Sequence, residues 1–301
     1  MSINTGSLAK FLWPGLNRSY GLAYDEHETE YPALFETRSS TKAYEETAGV
    51  SSFGLASVKP EGDSVSFDTA SQSFITRFTH VTYGLGFIIT REMVEDDQYT
   101  VVGDLRAKAL AMSMRITKET VAANVYNRAF SGSYLGADGL EMCSTAHVAK
   151  NGPTYANELT TAAVLSEASL EQACIDIMKM KNDRGLNIKV IPDSLIVPPD
   201  LVFEASRILE SSLRSGTADN DVNALKSMGK FPGGVKTNHY LTDTNNWFVR
   251  TNVPGVIHYQ RRDYEFTTDN EFNSENAKFK ATERYSFGWD DPRSVFGSAP
   301  A

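Results

Sequence analysis

Cysteine is scarce in this chain, and its scarcity excludes two common ways of stabilising a fold. The 301 residues include only two cysteines, Cys143 and Cys174. Two thiols are too few for a disulfide framework or for a four-ligand zinc site. We expect both to be reduced and to behave as small buried hydrophobes. A chain of this length can bury roughly three-quarters of its unfolded surface, so it needs neither disulfides nor a structural metal.

Long apolar runs and clusters of basic residues are also missing. No segment approaches the ~20 consecutive apolar residues of a membrane helix, and the N-terminus lacks the basic start and apolar core of a signal peptide. The net charge is −9, and the densest basic spot is the pair Arg261 and Arg262. Duplex-binding surfaces need a concentrated basic footprint. The composition therefore predicts a soluble chain, made in a cytoplasm, without a nucleic-acid-binding surface.

No catalytic or cofactor-binding motif is complete. The histidines lie in separate segments without an HExxH pattern, and the serines within 131–133 do not form a Gly-x-Ser-x-Gly elbow. The segments 229–230 and 234–236 resemble fragments of a phosphate-binding loop, but neither completes one. His147 follows Cys143 by four residues, which is half of a metal site at most. We therefore expect no catalytic residue, no cofactor and no metal.

The first 45 residues combine aromatic and polar side chains but sustain neither a helical nor a strand period, apart from a short possible helix over 7–12. The aromatic residues are Phe11, Trp13, Tyr20, Tyr24, Tyr31 and Phe35. Disordered segments are poor in aromatic residues. The composition therefore favours an arm that is buried by lying on a neighbouring subunit.

Residues 46–88 have the pattern of an elongated β-hairpin. Apolar residues recur at even spacing over 75–89, and the segment 53–58 supplies an opposing strand. Between them lies a cluster of turn residues: Lys59, Pro60, Glu61, Gly62 and Asp63. An isolated hairpin is only marginally stable in water, so we expect this one to rest on another surface.

Residues 91–130 predict a long helix, because they contain no proline and only one glycine, Gly103. Several alanines allow a sheet to pack closely against it. At ~1.5 Å per residue an unbroken helix would span on the order of 55 Å, and a break over 97–100 fits equally well. The predicted apolar stripe consists of Val101, Leu105, Ala109, Met112 and Ile116, continued by Ala123, Tyr126 and Phe130.

An α/β unit is predicted within 158–250. A helix over 166–182 keeps apolar residues at i, i+3, i+4 and i+7. Strands are predicted over 188–191 and 194–197, and a further helix over 200–211 has proline at its first turn.

The C-terminal part returns to strand-like alternation over 256–296, which predicts strands that rejoin the first lobe. The order of these patterns predicts an α+β fold in which a first lobe is interrupted by an inserted α/β lobe. A length above the usual single-domain mode fits this division.

An ordered series of residues in the middle of the chain resembles a known family. The run from Asp138 to His147, DGLEMCSTAH, is similar to the DG-x-x-L-[FC]-S-T-x-H stretch of tailed-phage major head proteins, with Met142 at the usual leucine. The similarity covers about residues 83–212, and 287–293 fits more loosely. Its other members are Asn127, Phe130, Asn157, Leu165, Ser166, Leu170, Lys179 to Asp183, Gly185, Pro192 to Pro199, Leu201, Ala205, Ile208 and Leu209. The series resembles the Mu-like gpT group in particular.

The resemblance implies the HK97 capsid fold and the role of a major capsid protein. Copies would self-assemble into hexamers and pentamers of an icosahedral shell. The shell would enclose double-stranded DNA without sequence-specific binding, in a virion whose proteins are made in a host bacterial cytoplasm. The implied parts are an N-terminal arm (1–45), an E-loop hairpin (46–88), a peripheral domain with the spine helix (89–157), an axial domain (158–250) and the return strands of the peripheral domain (251–301).

The resemblance also implies partners other than the chain itself. Because the sequence begins directly at the arm, we expect a separate scaffolding protein, unless a cleaved prefix precedes it. A portal protein and, optionally, a decoration protein are the other expected partners, and no membrane is involved.

Charge and position suggest where subunits meet. Trp13 in the arm and the turn residues 59–63 are candidate contacts, and so are Glu26 and Glu28 within the acidic stretch 25–30. We expect this acidic stretch to meet Arg261 and Arg262 of another copy. The position of Lys59 also suggests a covalent cross-link between lysine and asparagine, as in HK97 itself.

Two alternative functions remain open at this point. An encapsulin-like compartment would share the fold but hold a protein cargo. A cytosolic α/β enzyme would form a small oligomer and carry a deep polar pocket.

Overall fold

The polypeptide builds two four-stranded sheets and a separate β-hairpin. The computed structural model describes residues 8–95, 99–149, 152–213, 222–271 and 276–300. In them the helices are α1 (Leu8–Glu26), α2 (Tyr31–Leu34), α3 (Arg91–Glu95), α4 (Tyr99–Asn127), α5 (Glu167–Met178), α6 (Val202–Glu210) and α7 (Ala224–Ser227). The strands are β1 (Glu36–Ser39), β2 (Tyr44–Val50), β3 (Gln72–Thr79), β4 (Val81–Ile89), β5 (Pro192–Val197), β6 (Gly234–Thr237), β7 (Trp247–Thr251), β8 (Val256–Asn270), β9 (Ala277–Trp289) and β10 (Val295–Ser298).

Sheet one has the strand order β1-β8-β9-β4 and is covered on one face by helices. Strands β8, β9 and β4 pair antiparallel, whereas β1 runs parallel to β8. Helices α1 and α4 pack on the sheet and on each other. The core between them contains Tyr20, Ile89, Leu110, Met114 and Phe279.

Sheet two has the strand order β10-β7-β5-β6 and forms the core of the α/β unit. Strand β5 is buried on both faces at Leu195, Ile196 and Val197, as expected of a central strand with a continuous apolar run. Helix α5 packs Leu170 and Ile177 into the same core. The expectation that the C-terminal strands all return to the first lobe is wrong for β10, which pairs antiparallel with β7.

The α/β unit confirms two predicted helices and corrects one strand. Ser166 caps α5 by accepting from the backbone N–H of Ser169, and α6 follows a 3-10 turn that starts at Pro199. Residues 188–191 are not a strand, so the predicted strand pair is a single strand, β5. Its neighbours in the sheet come from β6 and β7, which lie later in the sequence.

The predicted hairpin exists, but its strands differ from those expected. β2 pairs with β3, while 53–58 is not in a strand. The chain stays extended beyond β3, yet β4 leaves the hairpin and pairs with β9. Between β3 and β4 the ring of His80 bonds the side chains of Ser40 and Ser286. Evenly spaced apolar residues indicate that side chains alternate between the two faces of a strand, but not which strand is its partner. The sequence therefore did not reveal that β4 pairs with β9.

The long helical stretch is present as α3 and α4, and the residues between them, 96–98, lie outside the described part. The break predicted over 97–100 therefore lies partly outside the described residues, and helix α4 begins at Tyr99. The predicted stripe is wrong over most of α4: Leu105, Met112 and Ile116 are 61%, 46% and 39% exposed. The core side is instead formed by Ala107, Leu110, Ala111, Met114, Ala122, Ala123 and Tyr126.

The N-terminal segment is more helical than predicted. Helix α1 continues to Glu26 in spite of Pro14, and it buries Leu16, Tyr20 and Tyr24, which are spaced four residues apart. Tyr20 stacks on Phe266 with 4.9 Å between ring centroids. These aromatic side chains are buried within their own chain, so the expectation that they need a neighbouring subunit is wrong for them.

Candidate functional site: exposed loop and assembly surfaces

The loop over 51–71, which we call the exposed loop, carries apolar side chains that nothing in the described chain covers. Its two limbs approach each other where the Ser57 and Ser66 hydroxyls lie 3.1 Å apart, but no strand ladder joins them. The uncovered side chains are 59–95% exposed: Phe53, Leu55, Val58, Val65 and Phe67. Exposed apolar side chains of this kind are suited to binding another protein surface.

The tip of the exposed loop is the predicted turn. The N–H of Asp63 donates to the Pro60 carbonyl over 3.3 Å, and Gly62 has φ +88°, a conformation that favours glycine. Lys59 and Glu61 are exposed, like the rest of the turn. The turn is confirmed, while its contact with another subunit stays a prediction.

Asp183 and Arg184 fasten the base of the exposed loop to the rest of the chain. The Asp183 carboxylate accepts from the N–H of Ser52 at 3.0 Å. The Arg184 guanidinium donates to the carbonyls of Ser52 at 3.0 Å and Thr69 at 2.8 Å. It also pairs with Asp68 at 3.3 Å, whose pKa is lowered mainly by backbone N–H donors. Sequence reasoning missed this clamp, because its two halves lie far apart in the chain.

A cavity of about 240 Å³ lies between the hairpin and the main body. Its lining includes Asp138, Asp183, Asp290 and Asp291. Burial, aided by the charge of Asp291, raises the pKa of Asp290 to about 6. Asp138 bonds His147, Asp183 accepts from Ser52, and Asp291 pairs with Arg293. Most of these carboxylates thus serve the structure.

The DGLEMCSTAH run is held together by buried polar contacts. Asp138 contacts the Nδ1 atom of the buried His147 ring at 2.6 Å, and this ring stacks on Tyr155 with 5.3 Å between centroids. Burial raises the pKa of the Cys143 thiol well above its ordinary value, which disfavours a thiolate ligand. Across the described residues, no group of three or more Cys, His, Asp or Glu is arranged to hold a metal ion.

Asn157 ties this run to the C-terminal segment. Its side-chain carbonyl accepts from the N–H of Ser144 at 2.8 Å. Its amide donates to the carbonyls of Met142 and Pro292 at 2.8 Å and to that of Val295 at 3.0 Å. The series that carries the family resemblance therefore contains residues that fix the fold.

The candidate charge contacts are engaged within the chain. Asp25 lies 3.8 Å from Arg115. Arg261 donates to the carbonyl of Lys42 at 2.9 Å, and Arg262 pairs with Glu265 at 3.3 Å. The structure thus does not bring the acidic stretch 25–30 and the two arginines together within one chain.

The remaining candidate contacts are placed only in part. Glu26 and Glu28 are both exposed. Trp13 belongs to α1, but its side chain lies outside the described residues. The role of all three in contacts between subunits stays a prediction.

A buried ion pair joins α4 to β9, and sequence reasoning missed it. The Lys118 ammonium lies 2.6 Å from a Glu283 carboxylate oxygen, and both side chains are almost fully buried. Gln260 bonds both groups at 2.9 Å, and the Tyr24 hydroxyl donates to Glu283 at 3.0 Å. Burial lowers the pKa of Lys118, and the carboxylate opposes this shift. The pair fixes α1, α4 and sheet one relative to one another.

The fold is shared with capsid structures. It is similar to a virus-like particle from Pyrococcus furiosus (TM-score 0.55, 10% identity, 95% of this chain and 98% of that one). It is similar to the procapsid of bacteriophage JBD30, with a TM-score of 0.52 and 14% identity over 98% of this chain and 76% of that one. It is also similar to Microbacterium phage Oxtober96, with a TM-score of 0.53 and 10% identity over 91% of this chain and 92% of that one. At these identities the likeness is one of fold, and it confirms the predicted HK97-like α+β architecture.

The family follows from a second comparison. The model of the phage capsid protein family matches residues 74–297. The chain belongs to this family and is a major capsid shell protein, a structural component of the virion. No curated protein sequence matches the chain, and the resemblance to the Mu-like gpT group stays a prediction. No helix in the described residues is long and apolar enough to span a bilayer.

Proposed function

We propose that copies of this chain assemble into hexamers and pentamers of a closed icosahedral shell that encloses phage double-stranded DNA. The exposed loop carries this proposal, because Leu55, Val58 and Phe67 are 83–95% exposed. Monomeric soluble proteins rarely expose apolar surface of this kind, and such surface marks a site that binds another protein. Contacts that are weak one at a time become stable when symmetry repeats them around a closed shell.

We propose that the exposed loop of one copy lies on α4 of its neighbour. The outer face of α4 presents Leu105, Met112 and Ile116, which are uncovered in the described chain. Apolar side chains on both partners would then leave water together. The clamp formed by Asp183 and Arg184 supports this role, because it holds the loop in one direction before a partner arrives.

We further propose the division of the chain that the family resemblance implies. The arm is 1–45, the E-loop 46–88, the peripheral domain 89–157 and 251–301, and the axial domain 158–250. Sheet one with α4 supports the peripheral assignment, and sheet two with α5 and α6 supports the axial one.

The acidic stretch 25–30 is proposed to meet Arg261 and Arg262 of another subunit. Both groups lie at the surface of the first lobe, and their charges are complementary. Reversing both arginines to glutamate should impair assembly, and a compensating Glu26→Lys/Glu28→Lys change should restore it. Undiminished shell formation by the double arginine variant would reject the contact.

Partners beyond the chain itself are proposed from the family. A separate scaffolding protein, a portal protein and, optionally, a decoration protein would take part in assembly in the host bacterial cytoplasm. The net charge of −9 fits a container whose wall does not adhere to packaged duplex DNA.

Electron microscopy of the chain purified from cells that also make the proposed scaffolding protein tests the proposal. We expect closed shells from the wild type and folded, unassembled protein from Leu55→Ser/Phe67→Ser. The matched control is Phe203→Ser, which removes an exposed aromatic ring from α6. A small oligomer as the only wild-type species would reject the shell, and particles that hold a protein cargo without DNA would favour an encapsulin-like compartment. A single monomer band from boiled, denatured particles would reject cross-linking through Lys59.

A further inference from the structure

Strand β4 forms an open edge of sheet one and lacks the features that normally protect an edge. It pairs with β9 through nine consecutive residues without a bulge, and in the described chain the strand order of sheet one ends at β4. Soluble proteins usually protect such edges with charges, proline or a bulge, because unpaired N–H and C=O groups recruit another strand. Strand β4 has none of the three.

The edge is also apolar where it meets solvent. Val81, Leu85 and Ile88 are 48%, 50% and 56% exposed. The neighbouring strands β8 and β9 carry both acidic and basic residues, whereas β4 carries no charged residue. Of the two edge strands of sheet one, β1 carries Glu36 and Arg38, whereas β4 carries no charge.

The sequence of β4 is nearly symmetric about its central residue. In VTYGLGFII, Leu85 is flanked by Gly84 and Gly86 and then by Tyr83 and Phe87. If two β4 strands pair antiparallel with Leu85 at the centre, Tyr83 of each copy lies opposite Phe87 of the other. Each glycine then lies opposite a glycine. Aromatic cross-strand pairs stabilise antiparallel sheets. A charge at Leu85, or at a residue beside it, would lie opposite or diagonal to its own copy, so a neutral centre favours self-pairing.

Gly86 shows that the backbone of β4 is already tightly packed on its inner side. A Cβ atom at this position would lie 2.5 Å from the carbonyl oxygen of Phe279 in β9. The pairing with β9 thus requires glycine at this position.

We infer that β4 pairs antiparallel with β4 of a second copy of this chain, about a two-fold axis that passes through Leu85. The two copies of sheet one then form one continuous sheet. Such an interface is isologous, since the same strand is used on both sides. The inference rests on the proposed shell, because one strand pair buries less than the roughly 800 Å² per partner of a stable isolated complex. The contact forms where other subunit contacts hold the copies together.

Cysteine cross-linking in assembled particles tests the pairing. A single cysteine links two copies only where a residue faces its own counterpart, and directly opposed residues have Cα distances that suit a disulfide. Mild oxidation of Leu85→Cys particles should convert most of the protein to dimers on a non-reducing gel. The native thiols Cys143 and Cys174 are buried, and the wild type should stay monomeric on the same gel.

Thr82 provides the register control. In the inferred pair it faces Ile88 of the partner, so Thr82→Cys alone should not link, whereas Thr82→Cys/Ile88→Cys should. Intact shells in which Leu85→Cys stays monomeric would overturn the pairing and leave the shell proposal standing. Failure of the wild type to form shells would instead reject the shell proposal itself.

A charge at the centre of the strand gives a second, independent test. Leu85→Lys would place two ammonium groups side by side across the axis, so we expect at least a tenfold loss of shell yield with an unchanged circular dichroism spectrum. Leu85→Thr keeps a neutral residue suited to a strand and should assemble like the wild type. Equal shell yields from the lysine and threonine variants would contradict the inference.

Discussion

The side chain of Asn157 joins three segments that are far apart in the sequence. It is fully buried, and its bonds reach Ser144, Pro292 and Val295 as well as Met142. We predict that Asn157→Ala lowers the free energy of unfolding by about 3 kcal/mol or more, because it strands several buried backbone groups.

Urea denaturation of the unassembled protein measures this loss. The control is Asn245→Ala, at an exposed position, where a change within about 0.5 kcal/mol is expected. A cost below about 1 kcal/mol at Asn157 would show that water replaces its hydrogen bonds.

His258 makes the fold sensitive to acid. Burial, and next the charge of Lys118, lowers the pKa of this ring to about 3. The folded protein keeps the ring neutral, whereas the unfolded chain binds a proton near the ordinary pKa of about 6.5. The stabilisation is therefore complete above about pH 6.5 and is lost as the pH falls towards 3, in total on the order of 5 kcal/mol.

The prediction is that His258→Phe, which preserves stacking on Phe287, depends less steeply on pH between 6 and 4. The difference in slope should correspond to about one proton taken up on unfolding. Above pH 7 the stability curves of the two proteins should run parallel. Identical slopes between pH 6 and 4 would contradict the assignment.

Helix α4 buries Lys118 on its core side and exposes apolar residues on its outer side. We predict that Lys118→Met costs about 3–5 kcal/mol of unfolding free energy, because it leaves the Glu283 carboxylate buried without its cation. The double variant Lys118→Met/Glu283→Gln should recover much of this loss, since the neutral amide no longer needs a counter-charge. Chemical denaturation of the three proteins measures both effects, and a double variant as unstable as Lys118→Met would exclude a charge-based cause.

The same helix shows what sequence patterns can and cannot predict. Its length and lack of proline predicted α4, but its apolar residues lie on both sides, so periodicity chose the outer face. The burial of Lys118 was invisible, because a lysine is expected at the surface until its partner on a distant strand is known. Helix α5 was predicted from its apolar spacing, which is a local signal, although it ends at Met178 and not at residue 182.

In the exposed loop, the local sequence predicted the turn but not the contacts that hold the base of the loop. The turn at Pro60 and Gly62 was predicted, because turn residues act through their own backbone. The clamp was not, because Asp183 and Arg184 look like ordinary charged residues after a helix. The partner of β4 could not be predicted either, because β9 lies in a distant part of the sequence.

At the scale of the molecule, the clamp sets the direction in which the exposed loop leaves the body. We predict that Arg184→Ala speeds amide hydrogen exchange over 51–71, because Ser52 and Thr69 lose their bonds to the guanidinium. Shells should form more slowly and be less uniform in electron micrographs. The control Arg207→Ala removes an exposed arginine that pairs with Glu204 on α6 and should change neither result. Unchanged exchange in the Arg184 variant would mean that the loop is oriented by other contacts.

Sheet one also has a consequence for synthesis on the ribosome. Helices α1 and α4 are made early, but β8 and β9, on which they pack, are complete only at Trp289. At roughly 5–20 residues per second, the ~160 residues from the end of α4 to the end of β9 take about ten to thirty seconds to translate. Throughout that interval the surfaces of both helices that pack on β8 and β9 lack this native partner. Chaperones that shield nascent apolar helices should therefore raise the yield of assembly-competent protein more than factors that act after release.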